Sequence, residues 1–482
     1  MLNLNYKFNF IVKERRIYMD LTYTAGRKLF EKTIDFLLKY LNDENHDQKE
    51  RLLKLVDWAQ TFMGDIFQER YYNEARKLIL DEDGKWMQFL ETTLKETDPH
   101  VLKTHALNLG YESSLYGLKK IHKMREKHNC NVPWAILMDP TSACNLHCTG
   151  CWATEYDKVK NLTFEEMDDI INQGKELGTH FYIFTGGEPL VRKHDIIKLC
   201  EKHNDCAFHA FTNGTLVDEK FCEDMQRVGN LSFAISVEGF KNSNDSRRGE
   251  GTFDKVMDSM DLLKEHGLLF GTSICYTSKN YKDVTSDEFY DLIISKGAKF
   301  SWYFHYMPVG NDASVELLPN AEEREYVYRQ IRKTRALEGG KPIFLMDFQN
   351  DGRATKGCIA GGKNYLHINS NGDVEPCVFI HFSGANIRDV SLLKALKQPL
   401  FMEYKEKMPF NENHFMPCPM LENPDIIVDM VKKSGAKSTY LNSPESAEDL
   451  AAKTKPYAEQ WNEKADELWD EILEEQAEKI NS

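Results

Sequence analysis

Short apolar runs alternate with segments of helical periodicity between Pro133 and Tyr303. This alternation predicts a parallel sheet whose strands are joined by right-handed crossover helices. A stretch of about 170 residues is too short for an eight-unit barrel of about 250 residues, so we expect an open sheet or a partial barrel. In either architecture, ligands bind at the carboxyl ends of the strands.

The predicted elements follow one another closely along the chain. The strands are expected at Trp134–Asp139, His180–Phe184, Ala207–Thr212, Leu231–Val237, Leu268–Tyr276 and Lys299–Tyr303. The helices between them are expected at Phe164–Leu177, His194–His203, Asp218–Val228, Phe253–His266 and Asp287–Ser295. Thr163 is expected to cap the first helix, because Glu166 follows three residues later and completes a capping box.

The sequence on either side of this alternation has a different character. Before it, glycine is scarce and apolar residues recur at helical spacing, which predicts a helical bundle. After it, a helix is expected at Ala321–Leu337, and few regular elements follow. The acidic tail spaces its apolar residues as an amphipathic helix does, at Trp461, Ala465, Leu468 and Ile472. We therefore expect a helical N-terminal region, a partial barrel, a small irregular α+β region and an acidic helical tail, at residues 1–130, 131–310, 311–425 and 426–482.

Composition excludes several classes of protein. The 482 residues carry 61 Lys and Arg against 76 Asp and Glu, and this net charge of −15 argues against a nucleic-acid-coating role. No apolar run approaches the ~20 residues of a membrane-spanning helix, and the N-terminus is a poor signal peptide. The 11 cysteines are too sparse for a secreted disulfide framework. We expect a cytoplasmic protein with reduced thiols, in which clustered cysteines indicate a metal site.

The first forty residues are basic and aromatic, with eight Lys or Arg against four Asp or Glu. A basic amphipathic segment can lie on a membrane surface, which predicts a peripheral membrane contact. A solvated helix face with a buried stripe is the more ordinary interpretation of the same pattern. Either Met1 or Met19 can serve as the start.

Three cysteines lie directly after the first predicted strand. Cys144, Cys148 and Cys151 form a C-x3-C-x2-C motif, and the irons of a cubane cluster prefer thiolate ligands. Three thiolates leave a fourth iron open, and open coordination positions are where metal sites do chemistry. Zinc is the alternative, with His147 or a distant residue as a fourth ligand. Structural zinc sites more often use two separated ligand pairs, and the sequence has no second C-x2-C.

This motif resembles that of the radical S-adenosylmethionine (radical SAM) enzymes. The resemblance implies a partial (β/α)6 TIM-like barrel, a [4Fe–4S] cluster on the three cysteines, and S-adenosylmethionine chelated by the open iron. It implies that one electron cleaves the sulfonium to a 5′-deoxyadenosyl radical that abstracts hydrogen from substrate, with flavodoxin or ferredoxin as the low-potential electron donor. One departure is that Gly150 stands where the family usually has an aromatic residue, and Trp152 follows the third cysteine instead.

Two groups of residues at the ends of predicted strands are candidates for the cofactor pocket. Gly186 and Gly187 let the backbone approach a ligand, and Glu188 offers a carboxylate to a cation. An isolated Gly-Gly-Glu-Pro is an ordinary turn, but at a strand end after the cysteines it resembles the family's GGE motif for the amine of S-adenosylmethionine. Ser236 and Glu238 close the fourth strand, where they are candidates for bonding the ribose or the amino acid part.

An arginine follows in a pattern shared with the peptide-modifying members. The segment from Arg248 to Phe253 resembles their R-G-x-G-[ST]-F motif, whose arginine pairs with the cofactor carboxylate, and Arg248 fits better than Arg247. A surface arginine is the alternative for either residue. Three weaker candidates remain. Thr212–Gly214 is a Thr-Asn-Gly sequence, which is usually only a turn. Thr272 and Ser273 lie on the fifth predicted strand and are candidates for the pocket.

A second group of cysteines lies in the irregular region, at Cys358, Cys377 and Cys418. A hairpin signal at Ser370–Asp373 would bring the first two together. The surrounding sequence resembles the SPASM/twitch extension, which implies one auxiliary [4Fe–4S] cluster with an open iron or a non-cysteine fourth ligand. The candidates for that ligand are His381, His414 and Glu412. Three thiols beside a hairpin, without a cluster, are the alternative, and the remaining five cysteines are expected to be simply buried.

These features predict a radical SAM enzyme, and the resemblance favours peptide or protein modification. The helical N-terminal region does not resemble the peptide-recognition domain of many such enzymes, so a small-molecule or lipid substrate is the alternative. A non-catalytic iron–sulfur scaffold or electron-transfer protein is the hypothesis from another class.

Overall fold

The computed structural model describes residues 23–41, 48–63, 69–81, 84–153, 161–310, 313–336, 339–440 and 443–481. Its centre is a sheet with the strand order β7-β6-β5-β4-β3-β2-β1-β8-β9. All neighbours from β7 to β8 are parallel, and β9 pairs antiparallel with β8. The strands are β1 Ala135–Met138, β2 Phe181–Phe184, β3 Ala207–Thr212, β4 Leu231–Ser236, β5 Phe270–Tyr276, β6 Phe300–His305, β7 Phe344–Asp347, β8 Tyr365–Ile368 and β9 Val374–Glu375.

Helices connect the successive strands, so the predicted mixed α/β fold with a parallel sheet is confirmed. The crossover helices are Phe164–Leu177, Lys193–Lys202, Glu219–Val228, Thr252–Glu265 and Asp287–Ser295, and Lys241–Arg248 is an additional short helix before the fourth of them. The predicted capping box is present. The Thr163 hydroxyl accepts the Glu166 N–H at 3.1 Å, and the Glu166 carboxylate accepts the Thr163 N–H at 2.8 Å.

The two faces of the sheet have different surroundings, which β6 shows most clearly. Ser301, Tyr303 and His305 are fully buried. The alternate residues Trp302 and Phe304 are only partly buried and line a cavity. Since successive side chains of a strand point to opposite faces, one face of the sheet packs into the core and the other borders an interior space.

The strand β8 belongs to the part of the chain that was expected to be irregular. It lies beside β1 in parallel register, with Tyr365 opposite Ala135 and Ile368 opposite Met138. The predicted hairpin is confirmed, because β8 turns back into β9. The segment that carries the second cysteine group is therefore held against the strand that leads into the first.

The regions outside the sheet are helical. The N-terminal helices are Tyr23–Leu41, Gln48–Met63, Glu69–Leu80, Lys85–Glu96, Pro99–His105 and Leu118–His128, with a π-helix at Ala106–Gly117. After β6 the helices are Ala321–Arg335, Gly352–Thr355, Leu392–Ala395, Pro399–Lys407, Pro424–Ser434 and Ala447–Asn481, and a small second sheet pairs β10 Phe382–Ser383 with β11 Lys437–Ser438.

The C-terminal helix Ala447–Asn481 has the apolar stripe that the sequence predicts. Trp461, Ala465, Leu468 and Ile472 are all buried. At the other end of the chain, residues 1–22, which include most of the basic–aromatic segment and both candidate start sites, lie outside the described residues. Within the described ranges, none of the helices has the length and apolar character needed to span a membrane.

Candidate active site

The cysteines of the first motif line one cavity, of about 310 Å³, beside the carboxyl end of β1. Cys144, Cys148 and Cys151 lie on the loop that leaves this strand and form no disulfides. Burial, together with Glu188 and the two neighbouring thiols, raises the pKa of Cys144 to about 11. An isolated thiol here would stay protonated at neutral pH, whereas metal binding deprotonates the sulfur.

The Gly-Gly-Glu turn runs directly along the cysteine loop. The Gly187 N–H donates to the Thr141 carbonyl at 3.0 Å, and the Glu188 N–H donates to the Ala143 carbonyl at 2.9 Å. A Cβ atom at Gly187 would lie 2.3 Å from the Ala143 carbonyl oxygen. Because a side chain cannot fit there, glycine is required for the two loops to lie side by side.

The Glu188 carboxylate is fixed by the end of the next strand. It accepts the Thr212 hydroxyl at 2.5 Å, the Asn213 N–H at 2.7 Å and the Leu190 N–H at 3.0 Å. Burial raises its pKa, and these hydrogen bonds oppose that effect. The Asn213 side chain also donates to Asn145 at 2.9 Å, which ties this turn to the cysteine loop. The Thr-Asn-Gly sequence is therefore part of the cavity wall.

Two arginines and Ser236 form another part of the wall. Arg247 and Arg248 both contact one oxygen of Glu238, at 2.6 Å and 2.5 Å. Glu238 is fully buried behind them and does not line the cavity. Within the described residues, the buried Arg247 Nε has no hydrogen-bond partner. Arg247, which the sequence pattern ranked below Arg248, thus lies on the cavity wall beside it.

Gly150 differs from the family pattern for a visible reason. Its φ of 65° lies in the left-handed region, and a Cβ atom there would lie 2.6 Å from the Tyr306 hydroxyl. The aromatic ring of Tyr306, at the end of β6, occupies the space beside this position.

The fifth strand contributes two of its side chains to the cavity. Ser273 lines it as expected, whereas Thr272 is buried and faces Ser301. Cys275 also lines the cavity, so the expectation that it is simply buried is wrong. Because side chains alternate along a strand, Cys275 lies on the same face of β5 as Ser273. This alternation was the sequence signal that could have predicted the position of Cys275.

The second group of cysteines surrounds a smaller cavity, of about 60 Å³. The hairpin brings Cys358 and Cys377 to it, and Cys418 completes the group. Each sulfur accepts a backbone N–H, at 3.4–3.5 Å, from Ala360, Phe379 and Leu421 respectively. Hydrogen bonds of this kind stabilise the negative charge of cluster thiolates, so the donor set fits an iron–sulfur group.

The candidates for a fourth auxiliary ligand do not line this cavity. Glu412 is exposed, and His414 and His381 are also absent from the lining residues. His381 instead contacts Glu375 at 3.4 Å and stacks on the Trp152 ring. None of these three residues therefore lines the cavity that the auxiliary thiols surround.

The two cavities adjoin each other. They share the lining residues Met307, Phe348, Thr355, Ile359, Tyr365 and Phe379. Trp152, which follows Cys151, also lies edge-on to Phe379, with ring centroids 6.3 Å apart. The cavity of the first cysteine group thus shares a wall with the cavity of the second group.

Zinc is the alternative that the three cysteines leave open, with His147 as a candidate fourth ligand. His147 is exposed and does not line the cavity.

Comparison with known families agrees with this site. Residues 138–293 match the radical SAM superfamily, and residues 358–433 match an iron–sulfur cluster-binding domain, SPASM. The predicted radical SAM domain and the SPASM domain that follows it are therefore both confirmed in this chain. The first domain implies a [4Fe–4S] cluster and S-adenosylmethionine, and the second implies auxiliary iron–sulfur clusters.

Its relatives have several different activities. An AdoMet-dependent heme synthase of Methanosarcina barkeri is 26% identical over 286 residues, which are 54% of this chain and 80% of the relative. A PqqA peptide cyclase of Granulibacter bethesdensis is 25% identical over 260 residues, which are 51% of this chain and 67% of the relative. The crystal structure of Streptococcus suis SuiB bound to S-adenosylmethionine shares the fold, with a TM-score of 0.50 and 16% identity over 77% of this chain and 83% of that one.

Proposed function

We propose that Cys144, Cys148 and Cys151 hold the catalytic cluster, and that S-adenosylmethionine binds between them and the Gly-Gly-Glu turn. The observation that carries this proposal is the pair of hydrogen bonds that joins Gly187 and Glu188 to the cysteine loop. They place the turn and the three thiols on one cavity. When bound, the cluster and S-adenosylmethionine supply hydrogen-atom abstraction from a substrate carbon.

Residues that line the cavity bind the ammonium group and the carboxylate group of the cofactor's amino acid part. An ionised carboxylate offers about four acceptor positions, and three contacts occupy the Glu188 carboxylate. The remaining position accepts from the ammonium group. The guanidinium groups of Arg247 and Arg248, which both line the cavity, supply the donors for the carboxylate. Glu238 is a positioning residue that fixes both arginines, and Ser236 and Arg248 face the same cofactor.

We assign the auxiliary cluster to Cys358, Cys377 and Cys418. Their backbone N–H donors and their common cavity support this assignment. The adjoining cavities support a role for this cluster in electron transfer to or from the active site, with flavodoxin or ferredoxin as the external donor. We also propose that the chain divides into four regions, with boundaries near residues 130, 310 and 425. β7 and β8 belong to the third region, but they add to the sheet of the barrel.

The proposed reaction is the modification of a peptide or protein side chain. The R-G-x-G-T-F sequence from Arg248 to Phe253 and the likeness to a peptide cyclase support it. A small-molecule substrate is the second candidate, and the likeness to a heme synthase favours it.

The assay for the proposed chemistry is the formation of 5′-deoxyadenosine. The protein is reconstituted anaerobically with iron and sulfide, reduced with dithionite and incubated with S-adenosylmethionine. We expect product from the wild type and none from Cys148→Ala. Cys222→Ala is the matched control, since Cys222 is fully buried and lines neither cavity. Equal product from Cys148→Ala and the wild type would reject the proposal.

Iron and sulfide counts test the second cluster separately. In a variant with Cys144, Cys148 and Cys151 all replaced by alanine, we expect about four irons to remain, as one cubane holds. A count near zero would reject the auxiliary cluster.

A further inference from the structure

One half of the larger cavity is built almost entirely from aromatic and aliphatic side chains. Seven aromatic rings line it: Trp134, Phe181, Phe211, Trp302, Phe304, Phe348 and Phe379. They come from β2, β3 and β6, from the residue before β1, and from the segments that follow β7 and β9, so the fold brings them together from distant parts of the sequence.

Phe304 stands at the centre of this group. Its ring centroid lies 5.6 Å from that of Phe211, 5.1 Å from that of Phe348 and 6.4 Å from that of Phe379. Trp302 stacks on Phe304 with an interplanar angle of 8°. These distances are typical of paired aromatic rings, and the rings form one continuous apolar surface.

This surface is not covered by the protein itself. Phe211, Trp302, Phe304 and Phe348 are all only partly buried, although they lie on or beside the central strands. Interiors normally pack without such gaps. Apolar surface that faces an interior space gains stability when an apolar ligand covers it.

The charged side chains of the cavity are confined to its other half. Among the described lining residues they are Glu188, Arg247 and Arg248. Glu188 accepts three hydrogen bonds from the protein, and both arginines are paired with Glu238. No described lysine lines the cavity. A carboxylate that entered the aromatic half would lose its hydration without gaining a partner.

In the proposed function, the cluster and S-adenosylmethionine occupy the cysteine half of the cavity. The aromatic half is then left for the substrate.

We infer that the substrate places a single uncharged aromatic ring against Trp302 and Phe304. This inference rests on the proposed function and identifies the substrate class of the same site. The ring belongs either to a peptide side chain or to a free small molecule, because an aromatic ring presents the same apolar faces in both. Tetrapyrroles with free carboxylates are excluded by their charge, because the aromatic half offers those carboxylates no cationic partner.

Equilibrium dialysis of the reconstituted holoenzyme with S-adenosylmethionine tests the inference. Indole-3-acetamide and indole-3-acetate are matched in size and differ in charge. We expect the amide to bind at least tenfold more tightly, and coproporphyrin III not to displace it. Equal or tighter binding of the acetate, displacement by coproporphyrin III, or no binding of the amide would overturn the inference. The capped peptide acetyl-Gly-Trp-Gly-amide distinguishes the sources, because tighter binding of the peptide than of indole-3-acetamide indicates a peptide substrate.

Two variants locate the binding site. Trp302→Ala should weaken binding of the amide about tenfold, since it removes a ring contact. Phe344→Ala should leave it unchanged, because this ring is 50% exposed and does not line the cavity. Binding of S-adenosylmethionine to Trp302→Ala shows that the variant is folded, and unchanged amide binding in that folded variant would overturn the inference. Formation of 5′-deoxyadenosine without added substrate tests the proposed function independently.

Discussion

The hydroxyl oxygen of Tyr365 lies 2.7 Å from the sulfur of Cys377. Both side chains are buried, and the tyrosine stands on β8, next to the strand that leads into the proposed catalytic cysteines. This hydroxyl therefore links the sheet of the barrel to the proposed auxiliary cluster.

Replacing Tyr365 by phenylalanine should lower the reduction potential of the auxiliary cluster. A hydrogen bond to a cluster sulfur stabilises the more negative, reduced state. With about 1 kcal/mol for the hydrogen bond and ~59 mV per tenfold change in a one-electron equilibrium, the decrease is about 40 mV. A redox titration followed by electron paramagnetic resonance measures it, in the variant that lacks the three catalytic cysteines.

Tyr404→Phe is the control for this measurement. Tyr404 is also fully buried near the three thiols, but its hydroxyl has no hydrogen-bond partner among the described residues. Its replacement should leave the potential unchanged. An equal decrease in both variants would show that the Tyr365 hydroxyl has no specific effect.

Replacing Gly187 by alanine should abolish binding of S-adenosylmethionine. The new Cβ atom would lie 2.3 Å from a backbone oxygen, so the turn must move away from the cysteine loop. A displacement of about 1 Å at a catalytic site can cost about a hundredfold in rate. Equilibrium dialysis and the 5′-deoxyadenosine assay measure the two effects. In Gly384→Ala the nearest atom is 3.5 Å away, and wild-type behaviour is expected.

Arg324 connects the C-terminal helix to the loop of Cys418. Its guanidinium lies 3.9 Å above the Trp461 ring and 2.7 Å from Glu422, and both members of the ion pair are fully buried. Glu422 in turn accepts the Cys418 N–H at 2.7 Å. Arg324→Met should therefore lower the free energy of unfolding by about 3–5 kcal/mol, as expected when one partner of a buried pair is removed. Urea denaturation measures it.

A second replacement and a surface control sharpen this test. Adding Glu422→Gln to Arg324→Met removes the unpaired buried charge and should restore part of the stability. Arg329 pairs with Glu471, and both side chains are nearly half exposed. Arg329→Met should cost no more than about 1 kcal/mol. A similar cost for the two arginine variants would contradict the role of the buried pair.

The sequence was sufficient to predict the elements whose signals are local. Helix Phe164–Leu177 has the predicted bounds, because its periodicity and its capping box lie within a few residues of each other. The three cysteines and the Gly-Gly-Glu turn were also recognisable, since each is a short continuous motif. Their placement on one cavity follows from the rule that parallel strands present their carboxyl ends together.

Features that depend on distant parts of the chain were not predicted. β8 is four residues long, and its partner β1 precedes it by 230 residues. Both Arg247 and Arg248 line the cavity, because the helix Lys241–Arg248 ends at its wall. A sequence pattern alone does not show that Glu238 forms an ion pair with both arginines.

His367 lies between two buried carboxylates, 2.9 Å from Asp139 and 2.6 Å from Glu375. Burial alone lowers the pKa of this imidazole, but the two ion pairs outweigh burial and raise it to about 10. The charged imidazolium therefore stabilises the fold fully below the unfolded pKa of about 6.5. This contribution is lost as the pH rises towards 10, by at most about 1.4 kcal/mol per pH unit.

Replacing His367 by glutamine should reveal this pH dependence. We expect the loss in free energy of unfolding, measured by anaerobic urea denaturation, to be largest at pH 6 and to shrink steadily towards pH 10. His203 is the control, because burial lowers its pKa. For His203→Gln the loss should not shrink over this range. A loss for His367→Gln that stays constant from pH 6 to pH 10 would show that the imidazole is neutral and that the carboxylates do not hold its proton.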